Sequence, residues 1–171
     1  MKYNVIWLTG LSGAGKSTIA IQLAVKLKQL TYKVSIIDGD QLRLQNNDLG
    51  FSNEDRIKQM HRAIDLAKQQ FNEDMYVIVA LISPFESIRK LAREIIGQEN
   101  FIEVYVNTPL NICEERDVKG LYKKARLGLI KNMTGIDSIY DAPMNPEITI
   151  DTSKEETADS VLKILTLVGK R

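Results

Sequence analysis

The sequence has little of what marks disulfide-stapled, membrane-spanning or secreted proteins. Its single cysteine, Cys113, cannot form a disulfide within the chain, which fits a reducing compartment. No stretch approaches the roughly 20 consecutive apolar residues that a membrane-spanning helix needs. The apolar run at residues 3–9 leads into a glycine-rich loop instead of a cleavage site, which argues against a signal peptide. We therefore expect a cytoplasmic protein without a membrane partner.

Excess charge of one sign is also missing. The chain carries 23 Lys and Arg against 22 Asp and Glu, a formal net charge of +1. Binding to nucleic acid polymers or anionic membranes through overall charge needs a strong basic excess. We therefore expect no nucleic acid partner, and any affinity for phosphate must come from a local arrangement of residues.

The remaining composition is that of an ordinary globular domain. Apolar residues make up 44% and charged residues 26% of the 171 residues, enough to bury one hydrophobic core. The sequence contains no internal repeat, low-complexity tract or linker. We expect a single domain that covers residues 1–171.

Short β-branched runs alternate with segments of helical periodicity. The predicted strands cover residues 5–8, 34–37, 75–82, 101–106 and 147–150. The predicted helices follow the glycine-rich loop, cover 52–71, begin at Pro84 and at Pro109, and cover 155–168. The alternation predicts a three-layer α/β domain around a mostly parallel sheet.

A phosphate-binding loop follows the first predicted strand. Residues 10–17 match G-x-x-x-x-G-K-[ST] between a strand and a helix, the context that this motif requires. Its glycines let the backbone amides turn towards phosphate oxygens, Lys16 would reach the β- and γ-phosphates, and Ser17 would bind Mg²⁺. The fold is therefore predicted to be that of P-loop hydrolases and kinases, with ATP bound by Gly10, Ser12, Gly13, Ala14, Gly15, Lys16, Ser17 and Thr18.

Two carboxylates end the second predicted strand, in the sequence Asp38-Gly39-Asp40. In α/β sheets this carboxyl edge holds ligand groups, here next to the phosphate loop. A carboxylate at this edge could hold Mg²⁺ through water or orient an incoming hydroxyl group, because phosphoryl transfer depends mainly on positioning. A strand-ending Asp-Gly turn is equally consistent with the spacing.

A basic run at residues 116–126 is flanked by glycines. Such a run is either a solvated helix face or a mobile lid that closes over phosphates and excludes water. The flanking glycines favour the basic lid.

A regulatory GTPase is the main alternative from another class of protein. It would need a guanine-reading Asn-Lys-x-Asp segment, which the sequence lacks. The short switch pattern D-x-x-G does occur at residues 117–120, amid basic residues, where it carries little weight.

Several longer segments together resemble the adenylylsulfate kinase (APS kinase) family along essentially the whole chain. They are LTGLSGAGKST at 8–18, DGD at 38–40, DLGFS at 48–52, ISPF at 82–85, ERDVKGLYKKAR at 115–126 and TGID at 134–137. The basic block is highly specific to that family. The resemblance implies transfer of the γ-phosphate of MgATP to the ribose 3′-hydroxyl of adenosine 5′-phosphosulfate (APS), which gives PAPS, and it implies a homodimer.

The resemblance also implies roles for single residues. Asp40 would orient or deprotonate the 3′-hydroxyl and touch Mg²⁺ through water, Arg116 would bind ATP, and Phe51 would form one side of a clamp on the base. The residues matched to acceptor binding are Asp40, Arg43, Phe51, Arg56, Gln59, Ile82, Ser83, Lys119, Leu121, Met133, Thr134 and Gly135.

The departures from the family pattern concentrate on the acceptor. Met133 replaces the usual second aromatic of the clamp, Gln59 replaces an asparagine, and segment 43–48 is one residue shorter than usual. Stacking of a base on an aromatic ring is worth about 1–3 kcal/mol. Two explanations stay open: a divergent APS kinase with a weaker clamp, and a paralogue that phosphorylates cytidine 5′-diphosphoramidate during capsule phosphoramidate synthesis.

Overall fold

Five strands of the described residues form one sheet in which every neighbouring pair is parallel. The structure is a computed structural model that describes residues 4–45, 50, 52–71 and 75–169. The strand order is β2-β3-β1-β4-β5. The strands are β1 (Val5–Thr9), β2 (Lys33–Asp38), β3 (Met75–Ala80), β4 (Phe101–Val106) and β5 (Ile148–Ile150). The predicted α/β fold around a parallel sheet is confirmed.

Helices connect these strands. They are α1 (Lys16–Gln29), α2 (Gly39–Gln45), α3 (Asn53–Gln70), α4 (Glu86–Ile96), α5 (Leu110–Arg116), α6 (Leu121–Arg126) and α7 (Thr157–Val168). None of the helices in the described part of the chain is long and apolar enough to cross a bilayer.

Two predicted boundaries were wrong around Pro84. Strand β3 ends at Ala80, not at residue 82, because the regular pairing with both of its neighbours stops opposite Ala80, at Leu8 of β1 and Asp38 of β2. The carbonyl of Ile82 still accepts hydrogen bonds from Thr9 Oγ1 (2.7 Å) and Gly10 N (3.4 Å). Helix α4 begins at Glu86 instead of at Pro84. Its first amide donates to the carboxylate of Asp141, a distant residue that the local sequence could not indicate.

Strand β1 supplies both faces of the core. Val5 and Trp7 belong to the apolar layer that includes Ile64 of α3 and Ala92 of α4. The alternate residues of β1, Ile6 and Leu8, belong to the layer on the other face, with α1 and α7. A parallel strand covered on both faces has no polar side, which explains why β1 reads as an unbroken apolar run.

The parallel direction brings three loops to one edge of the sheet. The phosphate loop follows β1, Asp38 ends β2, and the turn at Ser83 follows β3. Because β3 lies between β1 and β2, these three loops are neighbours. This carboxyl edge is where α/β folds bind ligands.

Candidate active site

The phosphate loop takes a backbone path that only glycine permits at Gly10. Its φ is +149°, and a Cβ at this position would lie 2.4 Å from the carbonyl oxygen of Val106. Gly15 is similarly confined, with φ +104° and the methyl group of Thr152 only 3.1 Å from an added Cβ. The loop is therefore packed tightly against the ends of β4 and β5.

Lys16 starts α1 and points its ammonium group back into the phosphate loop. The group donates hydrogen bonds to the carbonyl oxygens of Gly10 (2.9 Å) and Leu11 (2.7 Å). Burial, followed by repulsion from Lys119, lowers the pKa of Lys16 to about 8. A charge held this way is poorly hydrated, which strengthens its attraction to an anion.

Asp38 connects the phosphate loop to α2. Its Oδ2 accepts a hydrogen bond from the Ser17 hydroxyl at 2.8 Å, and its Oδ1 accepts one from the Asp40 amide at 2.9 Å. The sequence analysis placed Asp38 at this edge but assigned a role only to Asp40, and it did not pair Asp38 with Ser17. The signal was present, since the last residue of a parallel strand faces the ligand edge.

Asp40 forms an ion pair with Lys119 across the cavity. The two side chains are about half exposed, 53% for Asp40 and 48% for Lys119. The pair joins α2 to the loop between α5 and α6. The carboxylate assigned to the acceptor hydroxyl therefore faces the lid.

The second half of the basic run, residues 121–126, forms the short helix α6, and Asp117 fixes the start of this helix. The carboxylate of Asp117 accepts hydrogen bonds from the amides of Tyr122 (3.0 Å) and Lys123 (2.9 Å). These bonds, chiefly that from Lys123, lower the pKa of Asp117. Tyr122 also donates its hydroxyl to the carbonyl oxygen of Ser12 at 2.9 Å, so α6 is anchored to the phosphate loop. Asp117 thus caps a helix. In the sequence the same residue begins the D-x-x-G pattern at 117–120, which is also found in the switch segments of regulatory GTPases.

Arg116 braces the phosphate loop against the end of β5. It donates to the carbonyl oxygen of Gly13 (3.2 Å) and to both oxygens of Thr152, at 2.7 and 2.9 Å. The Thr152 hydroxyl in turn donates to the carbonyl oxygen of Ala14 at 2.9 Å. Thr152 was missed by the sequence analysis, although it directly follows the carboxyl end of a strand.

On the acceptor side, three predicted residues already have protein partners. Buried Arg56 donates to the Ser138 hydroxyl at 2.7 Å and to the carbonyl of Asn132. Gln59 donates its amide to the carbonyl of Gly39 at 2.8 Å, and Arg43 donates to the carbonyl of Gly50 at 2.7 Å. Arg56 and Gln59, both on α3, therefore hold the rims of the cavity in place.

Ser83 lies in the cavity wall on the acceptor side. It is 2% exposed, its φ is +47°, and its hydroxyl accepts a hydrogen bond from the indole nitrogen of Trp7 at 3.0 Å. A buried hydroxyl at positive φ, bonded to the core, indicates that Ser83 has a structural role in this turn.

Most of the predicted residues line one cavity of about 570 Å³. The predicted residues in its wall are Ser12, Gly13, Gly15, Lys16, Ser17, Thr18, Asp40, Arg43, Arg56, Gln59, Ile82, Ser83, Arg116, Lys119, Leu121, Met133 and Thr134. The wall does not include Gly10, Ala14 or Gly135, and an added Cβ on Gly135 would lie 3.0 Å from the side chain of Leu11. Phe51 lies outside the described residues.

Comparisons with known proteins point to one family. The family model described as "Adenylylsulphate kinase" matches residues 2–151. An adenylyl-sulfate kinase of Pseudomonas aeruginosa is 54% identical over 94% of this chain and 83% of its own length. One from Phocaeicola vulgatus is 48% identical over 98% of this chain and 84% of its own length.

A solved structure gives the same result for the fold. The Mycobacterium tuberculosis APS kinase in complex with AMPPNP and APS superimposes with a TM-score of 0.93. The two chains are 38% identical, and the match covers 99% of each. The similarity in fold therefore extends over nearly the whole of both chains.

Proposed function

This chain belongs to the adenylylsulphate kinase family, and from that premise we propose how its residues carry out the family's reaction. The protein is an ATP-dependent kinase that phosphorylates adenosine 5′-phosphosulfate to PAPS. The observation that carries the residue assignment is the single cavity in which Lys16, Ser17, Asp40 and Lys119 meet. Phosphoryl transfer needs cationic and hydroxyl groups for the phosphate donor and a carboxylate for the acceptor alcohol, and the two sets must lie close together.

The donor half is formed by the phosphate loop and the end of β2. ATP would take the place that the loop amides enclose, and the Lys16 ammonium would exchange its bonds to Gly10 and Leu11 for phosphate oxygens. The hydroxyl of Ser17 and the carboxylate of Asp38, 2.8 Å apart, are hard oxygen donors of the kind that Mg²⁺ prefers. Bound Mg²⁺ would neutralise phosphate charge during transfer.

The acceptor half is formed by α2, α3, the Ser83 turn and the lid. Asp40 would accept a hydrogen bond from the 3′-hydroxyl and direct its oxygen at the γ-phosphorus. Lys119, its ion-pair partner, would then be available to the charges of the two substrates. Water is kept from the transferred group by α6, which Tyr122 fastens over the phosphate loop.

Three further expectations stay predictions. They are the homodimer, the cytoplasmic location and the single domain over residues 1–171. The role of Phe51 in binding the base also stays a prediction.

The test is a steady-state assay of the purified protein with MgATP and either APS or cytidine 5′-diphosphoramidate. We expect kcat/KM for APS to exceed that for the cytidine compound at least tenfold, or about 1.4 kcal/mol of transition-state binding. A preference of the same size for the cytidine compound would overturn the acceptor assignment and favour the paralogue.

The Asp40→Asn variant tests whether this kinase activity depends on the carboxylate of Asp40 in the cavity. The amide keeps the size of the side chain but attracts the hydroxyl proton more weakly, so kcat for APS should fall on the order of a hundredfold. Asp65→Asn, on the outer part of α3, is the matched control and should leave kcat unchanged. Equal effects of the two substitutions would contradict the role of Asp40.

A further inference from the structure

A buried arginine behind the acceptor side of the cavity has contacts that the proposed function does not use. Arg89 lies on α4 and is 2% exposed. Its guanidinium group donates three hydrogen bonds in three directions: to the carboxylate of Glu103 (2.6 Å), to the carbonyl of Ser83 (2.7 Å) and to the carbonyl of Asp141 (2.6 Å). Only a planar fork of donors can satisfy three such acceptors at once.

These bonds join two segments that are far apart in sequence. Besides its bond to Arg89, Asp141 donates its amide to the carbonyl of Pro84 at 2.8 Å. The ring of Tyr140 lies 5.9 Å from the guanidinium group, and its hydroxyl is 2.9 Å from Thr9 Oγ1. The segment that follows Met133 and Thr134 is therefore fastened to the Ser83–Pro84 turn.

Both fastened segments contribute to the cavity wall. Ser83 and Pro84 line it from one segment, and Met133 and Thr134 line it from the other. Ser83 is held at φ +47°, a backbone conformation that a serine rarely adopts without support. The bond from Arg89 fixes the direction of its carbonyl group.

We propose that Arg89 is a positioning residue for the acceptor, which sets the distance between the Ser83 turn and the Met133–Thr134 segment. It touches neither substrate and acts through the two carbonyl groups that it holds. None of these hydrogen bonds of Arg89 reaches residues 10–17 of the phosphate loop, so we expect the larger effect on the acceptor. This inference rests on the proposed function, because the acceptor side is defined by it.

Arg93, one helical turn further on, provides a matched control. It makes a two-bond ion pair with Glu147, at 2.6 and 2.7 Å, and lies 4.9 Å above the ring of Phe101. Within the described residues, neither partner lines the cavity. Arg89 and Arg93 thus share a helix and a residue type, and each pairs with a carboxylate, Glu103 and Glu147 respectively, but only Arg89 holds the cavity wall.

The experiment compares Arg89→Lys with Arg93→Lys in the full-length protein with MgATP and APS. Lysine keeps the charge beside Glu103 but cannot reach three acceptors. For Arg89→Lys we expect KM for APS to rise about tenfold or more while KM for ATP stays within about twofold. For Arg93→Lys both constants should stay within about twofold of wild type. Equal results for the two variants, or a parallel rise of both constants in Arg89→Lys, would overturn the proposal.

A second variant covers the case in which Arg89→Lys does not fold. Glu103→Gln keeps an oxygen for Arg89 but removes the charge, and should raise KM for APS about threefold without changing KM for ATP. No rise would overturn the proposal.

Fluorescence separates this inference from the proposed function. Trp7 is the only tryptophan and bonds to Ser83, so its emission should change in Arg89→Lys even if the wild-type protein were inactive with APS. Inactive wild type would refute the function alone, and unchanged Trp7 emission would refute the positioning.

Discussion

Among single residues, Lys16 combines burial with a charge that the reaction needs. Its ammonium group is held by two carbonyl oxygens of its own loop. Burial and the like charge of Lys119 lower its pKa, whereas Cys113, Asp38 and Asp40 act in the opposite direction, and the result is a pKa of about 8. The group is therefore charged at neutral pH but loses its proton within reach of ordinary buffers.

This pKa predicts how ATP binding depends on pH. Below about pH 8 Lys16 is protonated and attracts phosphate, and above it the neutral amine does not. Since bound phosphates raise the pKa of Lys16 again, binding takes up a proton, and ATP affinity should be about tenfold lower at pH 9 than at pH 7. Isothermal titration calorimetry with MgATP between pH 6.5 and 9.5 measures this directly.

Lys119→Gln is the control for this prediction. It removes the neighbouring charge that lowers the pKa of Lys16, so the loss of affinity should begin at a higher pH than in wild type. An affinity that stays constant up to pH 9.5 in both proteins would contradict the assignment of Lys16 as the phosphate-binding charge.

At the scale of elements, the sequence predicted the long helices and, from Pro109, the start of the short helix α5, but it missed the short helices α2 and α6. Ser52 and Asp55 have the spacing of a capping box at the start of the predicted helix over 52–71, and they form the two bonds of that motif, at 3.1 and 3.2 Å, at the start of α3. Helices α2 and α6 are only seven and six residues long. Two turns are too short for apolar periodicity, and such helices depend on caps and tertiary contacts.

The same limit applies to the site. Local motifs indicated the phosphate loop and the Asp38–Asp40 segment, because each is continuous in the chain. The pairing of Asp40 with Lys119 and the bond from Arg89 to Asp141 join residues that only the folded chain brings together. No spacing rule connects such residues.

Asp117 offers a test of how α6 is held. Asp117→Ala removes both cap bonds and should free the start of α6 and hence the lid. We expect kcat/KM for APS to fall about tenfold, because a loosened lid no longer excludes water or positions Lys119. The midpoint of thermal unfolding should change less than the kinetics, since Tyr122 keeps its packing in the core and the charged side chains of α6 are exposed. Asp117→Asn keeps one acceptor oxygen and tolerates the positive φ of this position (+23°). The fall in kcat/KM for APS should therefore be smaller than in Asp117→Ala. A large drop in melting temperature with unchanged kinetics would show that Asp117 supports the core instead.

At the scale of the whole molecule, the two apolar layers share β1. Trp7 packs in the layer with α3 and α4, and its neighbours Ile6 and Leu8 pack in the layer with α1 and α7. Because alternate residues of β1 belong to the two layers, a displacement of β1 that disrupts the packing of one layer also disrupts the packing of the other. The two layers should therefore unfold together.

Urea unfolding tests this cooperativity. Fluorescence of Trp7 reports the layer on one face of the sheet, and far-UV circular dichroism reports the helices on both faces. We expect the two curves to overlap in one transition, as in small two-state domains. MgATP at about 100 times its Kd should stabilise the protein by about 2.7 kcal/mol and shift both curves equally, because the phosphate loop is continuous with β1 and α1. Two separated transitions, or a shift of only one probe, would show that the layers on the two faces are independent units and would contradict the single domain.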